Sequence, residues 1–280
     1  MSLSRRAALK GLLATTVGVT TGAAVYGSRY ERHQLEITTT DLRVAGLPRA
    51  LDGLRVGFLT DIHHSEMVSA DEVQRAVSMT LAAAPDIILL GGDYVTWGDR
   101  RYVGPVAEIL GQLHAPQGVY AVLGNHDDDR DMPAALSSGH IAVLRDARTR
   151  LTIRSEILEL VGIRFWTRRT ADIAKLARPA AGATTLLLAH DPRRLADAAS
   201  IGIPAVISGH THGGQIVLPG VGALARRNFP VLSGLGQQDG TSLFVSRGIG
   251  TVYVPIRINC PPEVSIVTLR QSGPTAGGPG

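Results

Sequence analysis

The sequence predicts an α/β layered domain, and three observations carry that prediction. Short runs rich in Val, Ile and Leu recur from Leu54 onward and largely lack polar–apolar alternation, as strands covered on both faces do. Stretches of helical length separate them. Asp, Asn and His residues stand directly after the apolar runs, where ligands gather beyond the carboxyl ends of strands in open α/β sheets.

The expected strands are 54–60, 86–90, 119–123, 184–189, 205–208, 243–246 and 264–269. The expected helices are 69–84, 102–113, 133–138, 170–177 and 192–200. The first helix is the best punctuated: Ser69 and Glu72 form a capping box, and Pro85 follows its end. Asp99, Arg100 and Arg101 read as a solvated loop. No internal repeat and no second domain is visible, so residues 31–270 are expected to form one domain. The Gly/Pro-rich tail, 271–280, is expected to be disordered.

Residues 1–30 read differently. Ser4-Arg5-Arg6-Ala7-Ala8-Leu9-Lys10 is a charged start followed by a weakly hydrophobic run over 11–28, rich in Thr and Gly. It resembles a twin-arginine export signal, read by the twin-arginine translocase. That implies export to the periplasm or the outer face of the cytoplasmic membrane and cell wall. The run is borderline in length for spanning a bilayer, so retention as a membrane anchor is the alternative to cleavage. The plain alternative is an N-terminal helix without a targeting role.

Composition excludes some classes of function. The formal charge is +4 over 280 residues, and three of the positive charges are Arg5, Arg6 and Lys10. The body is therefore nearly neutral, which gives no support to broad nucleic-acid binding. Cys260 is the only cysteine. No internal disulfide can form, and a two-thiol redox cycle is excluded.

The chemistry lies in five segments: Asp61-Ile62-His63, Gly92-Asp93, Gly124-Asn125-His126-Asp127, His190 and Gly209-His210-Thr211-His212. Carboxylates, an amide oxygen and imidazoles suit a pair of divalent cations. Such a pair makes in-line attack of metal-bound hydroxide on phosphorus the leading chemistry. In an extended strand end Asp61 and His63 point to the same side, as do His210 and His212. Asp93 after two glycines can bridge two cations with its two oxygens. Asp127 beside His126 can orient that imidazole. Each segment alone has a plainer reading, such as a turn, a polar loop or a structural histidine. Five of nine His residues fall within these segments, which argues against coincidence.

The ordered set of motifs, from about Leu54 to Arg270, resembles the calcineurin-like metallophosphoesterase superfamily. The resemblance implies a four-layer sandwich, two β-sheets flanked by helices. It implies that Asp61, His63 and His212 hold one ion, that Asn125, His190 and His210 hold a second, and that Asp93 bridges. His126 would protonate the leaving oxygen or stabilise phosphoryl charge. A narrower resemblance, to exported bacterial phosphodiesterases of the YkuE and YaeI type, rests on His64, on Gly213-Gly214-Gln215 and on Ser246-Arg247-Gly248-Ile249-Gly250. Pro255-Ile256-Arg257 and Cys260-Pro261-Pro262-Glu263 agree with it.

The expected activity is a dinuclear phosphodiesterase or pyrophosphatase using Mn, Fe or Zn on an envelope lipid headgroup or wall polymer. The chain is expected to act as a monomer. The competing reading is an exported metal-binding or sensor protein that kept the site without turnover. A zinc hydrolase of peptides or esters is a third, but the chain has no His-Glu-x-x-His run. His64 is a candidate for either substrate contact or support of the ligands. Arg247 could grip a phosphate with two N–H groups or form a structural salt bridge. Trp97 and Trp166 are expected in the core, with an acyl or sugar pocket as the alternative.

Overall fold

Side chains along the central strands point alternately into two different cores, which is why those strands read as unbroken apolar runs. The computed structural model describes residues 5–224 and 228–272, with only the backbone at 7, 8, 11 and 12. Elements are numbered in chain order. In β3 (Ile87–Leu90), Ile87 and Leu89 face one core while Ile88 and Leu90 face another. In β8 (Ala183–Ala189), Leu186 and Leu188 are divided in the same way from Leu187 and Ala189.

Two six-stranded sheets result. The first runs β1 (Glu36–Val44), β14 (Glu263–Gln271), β2 (Arg55–Leu59), β3, β4 (Val119–Ala121), β5 (Ala142–Val143). The second runs β12 (Gly234–Gln238), β13 (Thr241–Val245), β9 (Ala205–Ser208), β8, β7 (Glu156–Ile163), β6 (Ala147–Ile153). Val56, Phe58 and Leu89 of the first sheet meet Leu158, Leu188, Ile207 and Phe244 of the second in a core between them. Outside the first sheet pack α2 (Ala70–Ala82), α3 (Arg100–Leu110) and α4 (Asp131–Ser138), through Val77, Val106 and Leu136. Outside the second pack α5 (Thr170–Ala177) and α6 (Arg194–Ser200), through Ile173 and Leu195. Helices, sheet, sheet, helices: this is the four-layer sandwich. Within it, β2, β3 and β4 are parallel, as are β8 and β9, so the loops after them open at shared sheet ends.

All seven expected strands and all five expected helices are present. The capping box of α2 is formed, with Glu72 N donating to Ser69 Oγ at 3.3 Å and Ser69 N to Glu72 Oε2 at 2.8 Å. Asp99 is no loop residue; it caps α3 by accepting Arg101 N–H at 3.1 Å, so the helix starts at Arg100. Strands β1, β5, β6, β7 and β12 and a small hairpin were not expected. β6 and β7 hide because Arg and Glu alternate with apolar residues there: buried Glu159 is held by Arg148 at 3.1 Å and Arg150 at 2.8 Å. β1 is a polar edge strand, paired only with β14.

Residues 5–29 form one helix, α1 (Arg5–Arg29), exposed along residues 13–22. Among the described residues no helix is long and apolar enough to cross a membrane. Gln271 still belongs to β14, and residues 273–280 of the expected tail lie outside the described residues.

Candidate metal centre

The loops after β2, β3, β4, β8 and β9 bring all seven expected ligand residues to one place. Asp61, His63 and His212 form one group whose ligand atoms lie within 4.8 Å of one another, and Asp93, His190 and His210 form a second. The groups adjoin. His63 Nε2 is 3.2 Å from His212 Nε2, and His190 Nε2 is 3.1 Å from His210 Nδ1. Asp93 joins them through a single oxygen: Oδ2 lies 3.6 Å from His63 Nε2 and 3.2 Å from His190 Nε2. Its other oxygen, Oδ1, accepts the His126 backbone N–H at 2.8 Å. One carboxylate oxygen of Asp93 thus faces both groups.

The backbone that aims these side chains is not extended. Asp61, His63, Asp93, His210 and His212 all have φ between 51° and 72°. Left-handed residues other than Gly cost about 1–3 kcal/mol each and persist only where surroundings dictate them. Here backbone bonds dictate them: Asp61 N–H donates to Gly92 O at 2.9 Å and His63 N–H to Asp93 O at 3.0 Å. Two glycines leave room for the carboxylates. A Cβ on Gly124 would stand 2.0 Å from Asp93 Oδ1, and one on Gly209 would stand 2.4 Å from Asp61 Oδ2.

Supporting bonds fix the ligands. His190 Nδ1–H donates to Gly91 O at 2.8 Å, which fixes the ring with Nε2 facing Asp93 at 3.2 Å. His63 Nδ1 meets Thr96 Oγ1 at 3.2 Å, and Thr60 Oγ1 donates to Asp61 Oδ2 at 2.8 Å. Asn125 Oδ1 is buried and finds no hydrogen-bond partner among the described residues. An orphaned acceptor beside two carboxylates and four imidazoles fits a cation-binding role, since a buried polar atom left unpaired is costly.

Charges in this cluster counteract one another. Burial disfavours the Asp93 charge, but His190, His63 and His126 outweigh it and hold the carboxyl far below its usual range. Burial likewise opposes the His190 charge, but Asp93 and then Asp61 carry that imidazole up to about 10. Burial takes His63 down to about 3, and burial with nearby His190 takes His210 to about 3. Burial raises Asp61 to about 6. Several of these groups therefore present neutral nitrogen, the form that binds metal.

His126 adjoins the ligands, its ring 4.9 Å from that of His63. Trp97 N–H donates to His126 Nδ1 at 3.1 Å, so a neutral ring carries its proton on Nε2. Asp127 does not orient that ring. Its carboxylate accepts the backbone N–H groups of Asp93 at 2.7 Å, Tyr94 at 2.8 Å and Gly124 at 2.9 Å. His64 lies behind the ligands, bonded to Val68 O at 2.8 Å and packed edge-on against Tyr102. The Arg247 guanidinium is engaged by Glu263 at 2.7 Å and Glu36 at 2.5 Å, which is the salt-bridge alternative. Neither His64 nor Arg247 lines the cleft. Trp97 and Trp166 are no core residues; they are 67% and 61% exposed. Trp97 packs against His126, while Trp166 packs on Phe165, whose ring is 5.3 Å from His210.

Sequence reasoning missed Thr60 and Thr96, because a lone Thr carries no spacing signal, and it quoted Arg257 and Gln215 only within resembling segments, without their supporting role. Arg257 is the largest of these: wholly buried, it donates to the carbonyls of Arg247, Gly248, Gly250 and Cys260. The strand of backbone it holds donates Ile249 N–H to Thr60 O and Gly250 N–H to Asp61 O. Gln215 ties the His212 loop to Val252 and Val254 by three hydrogen bonds.

A cleft of about 270 Å³ opens over Asp93, Asn125, His126, His210 and His212. Ile216, Leu224, Phe229, Val252, Tyr253 and Val254 give the same cleft an apolar part of its lining.

The fold and these two candidate ligand groups define a metal-dependent phosphoesterase. The calcineurin-like phosphoesterase model matches residues 54–214, and the chain belongs to that family. It is a metal-dependent phosphoester hydrolase. The chain is 27% identical to metallophosphoesterase YkuE of Bacillus subtilis, over 96% of this chain and 99% of that one. It is 29% identical to phosphodiesterase YaeI of Escherichia coli, over 77% of this chain and 82% of that one. Among solved structures it is similar to a 5'-nucleotidase precursor from Thermus thermophilus. The TM-score is 0.50 at 13% identity, covering 77% of this chain and 54% of that one, which speaks to fold alone.

Proposed function

We propose that the chain is an exported phosphodiesterase or pyrophosphatase acting on a lipid phosphodiester of the cell envelope, with a wall polymer as the second substrate class. One observation carries the reading: members of both ligand groups and a set of apolar side chains line a single cleft. A substrate with a charged phosphodiester and an apolar tail matches both. The twin-arginine-like start, Arg5-Arg6, supports export to the periplasm or the outer face of the membrane.

In this reading Asp61, His63 and His212 hold one cation, Asn125, His190 and His210 a second, and Asp93 both. Bound there, two divalent ions (Mn, Fe or Zn) supply Lewis acidity that activates water and neutralises phosphoryl charge. His126 donates from Nε2 to the leaving oxygen, with Trp97 N–H fixing the tautomer that permits it. The Asp127 carboxylate positions the Asp93 and Gly124 loops. Phe229, Tyr253 and Val254 exclude water from the tail side of the cleft.

The test is turnover by the purified full chain with Mn²⁺ on bis-p-nitrophenyl phosphate, p-nitrophenyl phosphate, lipid phosphodiesters and wall polymer. Chelation should abolish activity, and Mn²⁺ should restore it. Diesters should exceed monoesters, and a diester with an acyl tail should show higher kcat/KM than its tailless analogue. Equal rates on tailed and tailless diesters would remove the lipid assignment.

A further inference from the structure

We propose that Trp97 is a specificity-determining residue: its ring, cornered by Tyr253, seats a sugar ring borne by the alcohol that leaves from phosphorus. This deepens the lipid phosphodiester reading above and rests on it for the role of His126.

Trp97 meets His126 twice. Its N–H donates to His126 Nδ1 at 3.1 Å, and its ring centroid is 4.3 Å from that of His126. Its neighbours are tied down as well. Thr96 Oγ1 meets His63 Nδ1 at 3.2 Å, and Gly98 N–H donates to His126 O at 2.7 Å. The backbone at Trp97 is left-handed, φ 54°. A bulky residue in that region is an outlier, and such strain collects at ligand clamps. The bonds at 97 and 98 need only backbone N–H groups, so they do not explain an indole. Neither does burial, since most of the ring is exposed.

Tyr253 repeats the pattern from another loop. Val254 N–H donates to Val252 O at 2.8 Å, closing a turn whose middle residue, Tyr253, has φ 64°. The left-handed form of this three-residue turn is rare and strained. Gln215 Nε2 donates to the carbonyls of Val252 and Val254, which holds the turn to the His212 loop. The exposed Tyr253 ring lines the cleft and stands 5.6 Å from Trp97, inclined at 67°. The two rings make an open corner where the apolar lining ends and His126 begins.

The reaction indicates what fills that corner. The oxygen of water bonds to phosphorus, the bond from phosphorus to the alcohol oxygen breaks, and that oxygen takes the His126 Nε2 proton. Transfer requires the leaving oxygen within about 3 Å of Nε2, so the group attached to it starts within reach of the indole. A pyranose suits the place, because it offers an apolar C–H face to stack and hydroxyls around its edge. Polar partners stand next to the ring: Trp97 also lines a neighbouring hollow with Ser65, Glu66, Asp99 and Arg101. Arg101 pairs with Asp99 at 2.7 Å and with Glu66 at 3.5 Å, and each carboxylate keeps lone pairs for hydroxyl donors. An acyl chain here would strip water from these groups and return no hydrogen bond. Its surface is the aliphatic lining of Ile216, Leu224 and Val254.

The experiment compares three phosphate monoesters on the Mn²⁺-loaded full chain by titration calorimetry: glucose 1-phosphate, uridine 5′-phosphate and glycerol 3-phosphate. All present the same phosphoryl group and differ in what it carries. Glucose 1-phosphate should bind on the order of tenfold tighter than glycerol 3-phosphate, the size expected for one ring stacked on an aromatic side chain. Trp97→Ala should erase that preference, and Trp97→Phe, which keeps a ring, should restore part of it. Trp97 and Trp166 are the only tryptophans, so Trp166→Phe leaves Trp97 as the sole indole emitter. Glucose 1-phosphate should shift that emission far more than glycerol 3-phosphate does. Equal binding of the glucose and glycerol esters, or a preference that survives Trp97→Ala, overturns the proposal. So does tightest binding of uridine 5′-phosphate, since the corner would then hold a base. Unmoved Trp97 emission overturns it even where the Trp97 variants fail to fold. Absent turnover of bis-p-nitrophenyl phosphate, with the glucose preference and emission shift intact, would count against the proposed activity and leave the sugar subsite standing.

Discussion

The carboxylate of Asp127 accepts the backbone N–H of Asp93 at 2.7 Å, across 34 positions of sequence. It takes two further backbone N–H groups, from Tyr94 and Gly124, and so clasps the two loops that carry Asp93 and Asn125. Asn at this position offers one acceptor oxygen and turns an NH2 group toward a backbone donor. Asp127→Asn should therefore cost about 1–3 kcal/mol of stability through an unmatched donor. It should also lower metal content per chain, because Asp93 moves with its loop. Thermal melting and elemental analysis read both effects. A variant that melts and binds metal like wild type, but turns over slowly, would return Asp127 to the role of orienting His126.

His126, one residue earlier, should behave differently. Its ring touches the ligands without belonging to either ligand group. His126→Ala should keep metal content and melting temperature and slow turnover about 10²–10⁴-fold, the range for loss of a general acid. The loss should be smallest on a nitrophenyl diester, whose leaving group needs no proton, and largest on an alkyl diester. A uniform loss across leaving groups would favour stabilisation of phosphoryl charge instead.

What the sequence revealed and what it hid follow one physical division. Ligands were legible because metal chemistry restricts residue type, and because each stands at the end of an apolar strand, as Asp61 follows β2 and His190 follows β8. Their conformation was not: the two-residue spacing of Asp61 and His63 suggested an extended strand end, while backbone bonds to the 92–94 loop impose a left-handed turn. Strands buried on both faces were legible, whereas β6 and β7 were not, because Arg148 and Arg150 neutralise Glu159 from the neighbouring strand and only the folded pairing reveals it. Arg257 stood out only within Pro255-Ile256-Arg257, and its role as a support was hidden because only the fold brings its carbonyl partners around it.

Arg257 gives the third prediction. It is fully buried, and carbonyl oxygens rather than a carboxylate surround it. Arg257→Met would leave those carbonyls unpaired in a dry interior, at a cost of about 3 kcal/mol or more. Because the held segment supports Thr60 and Asp61, the ion bound by Asp61, His63 and His212 should weaken more than the other. Arg257→Lys should recover only part of the loss, since one ammonium cannot reach all four carbonyls in the fork geometry. Melting curves and metal titration of both variants provide the check. If Arg257→Met melts at the wild-type temperature, the support is elsewhere.

The last prediction concerns acid stability at the other flank of the cleft. Asp146 accepts Arg164 N–H at 3.0 Å, the Arg164 guanidinium at 2.7 Å and the Thr167 hydroxyl at 2.7 Å. Burial raises its carboxyl, but these bonds outweigh burial and hold it below the usual carboxylate range. A depressed folded value means that the charged form is favoured in the folded state. Its contribution is complete above the unfolded value of about 3.9 and disappears as pH falls through the lower, folded value. Asp146→Asn removes the titration while suiting the left-handed backbone at this position, φ 51°. The variant should be less stable than wild type by roughly 1 kcal/mol at neutral pH, allowing for solvent screening. That gap should hold down to about pH 5 and close as pH drops below about 4. Denaturant melts of the two proteins across that range measure it directly. A gap that stays constant into acid would mean that Asp146 acts through shape alone, and that the Arg164–Thr167 turn bearing Phe165 against His210 is held by packing.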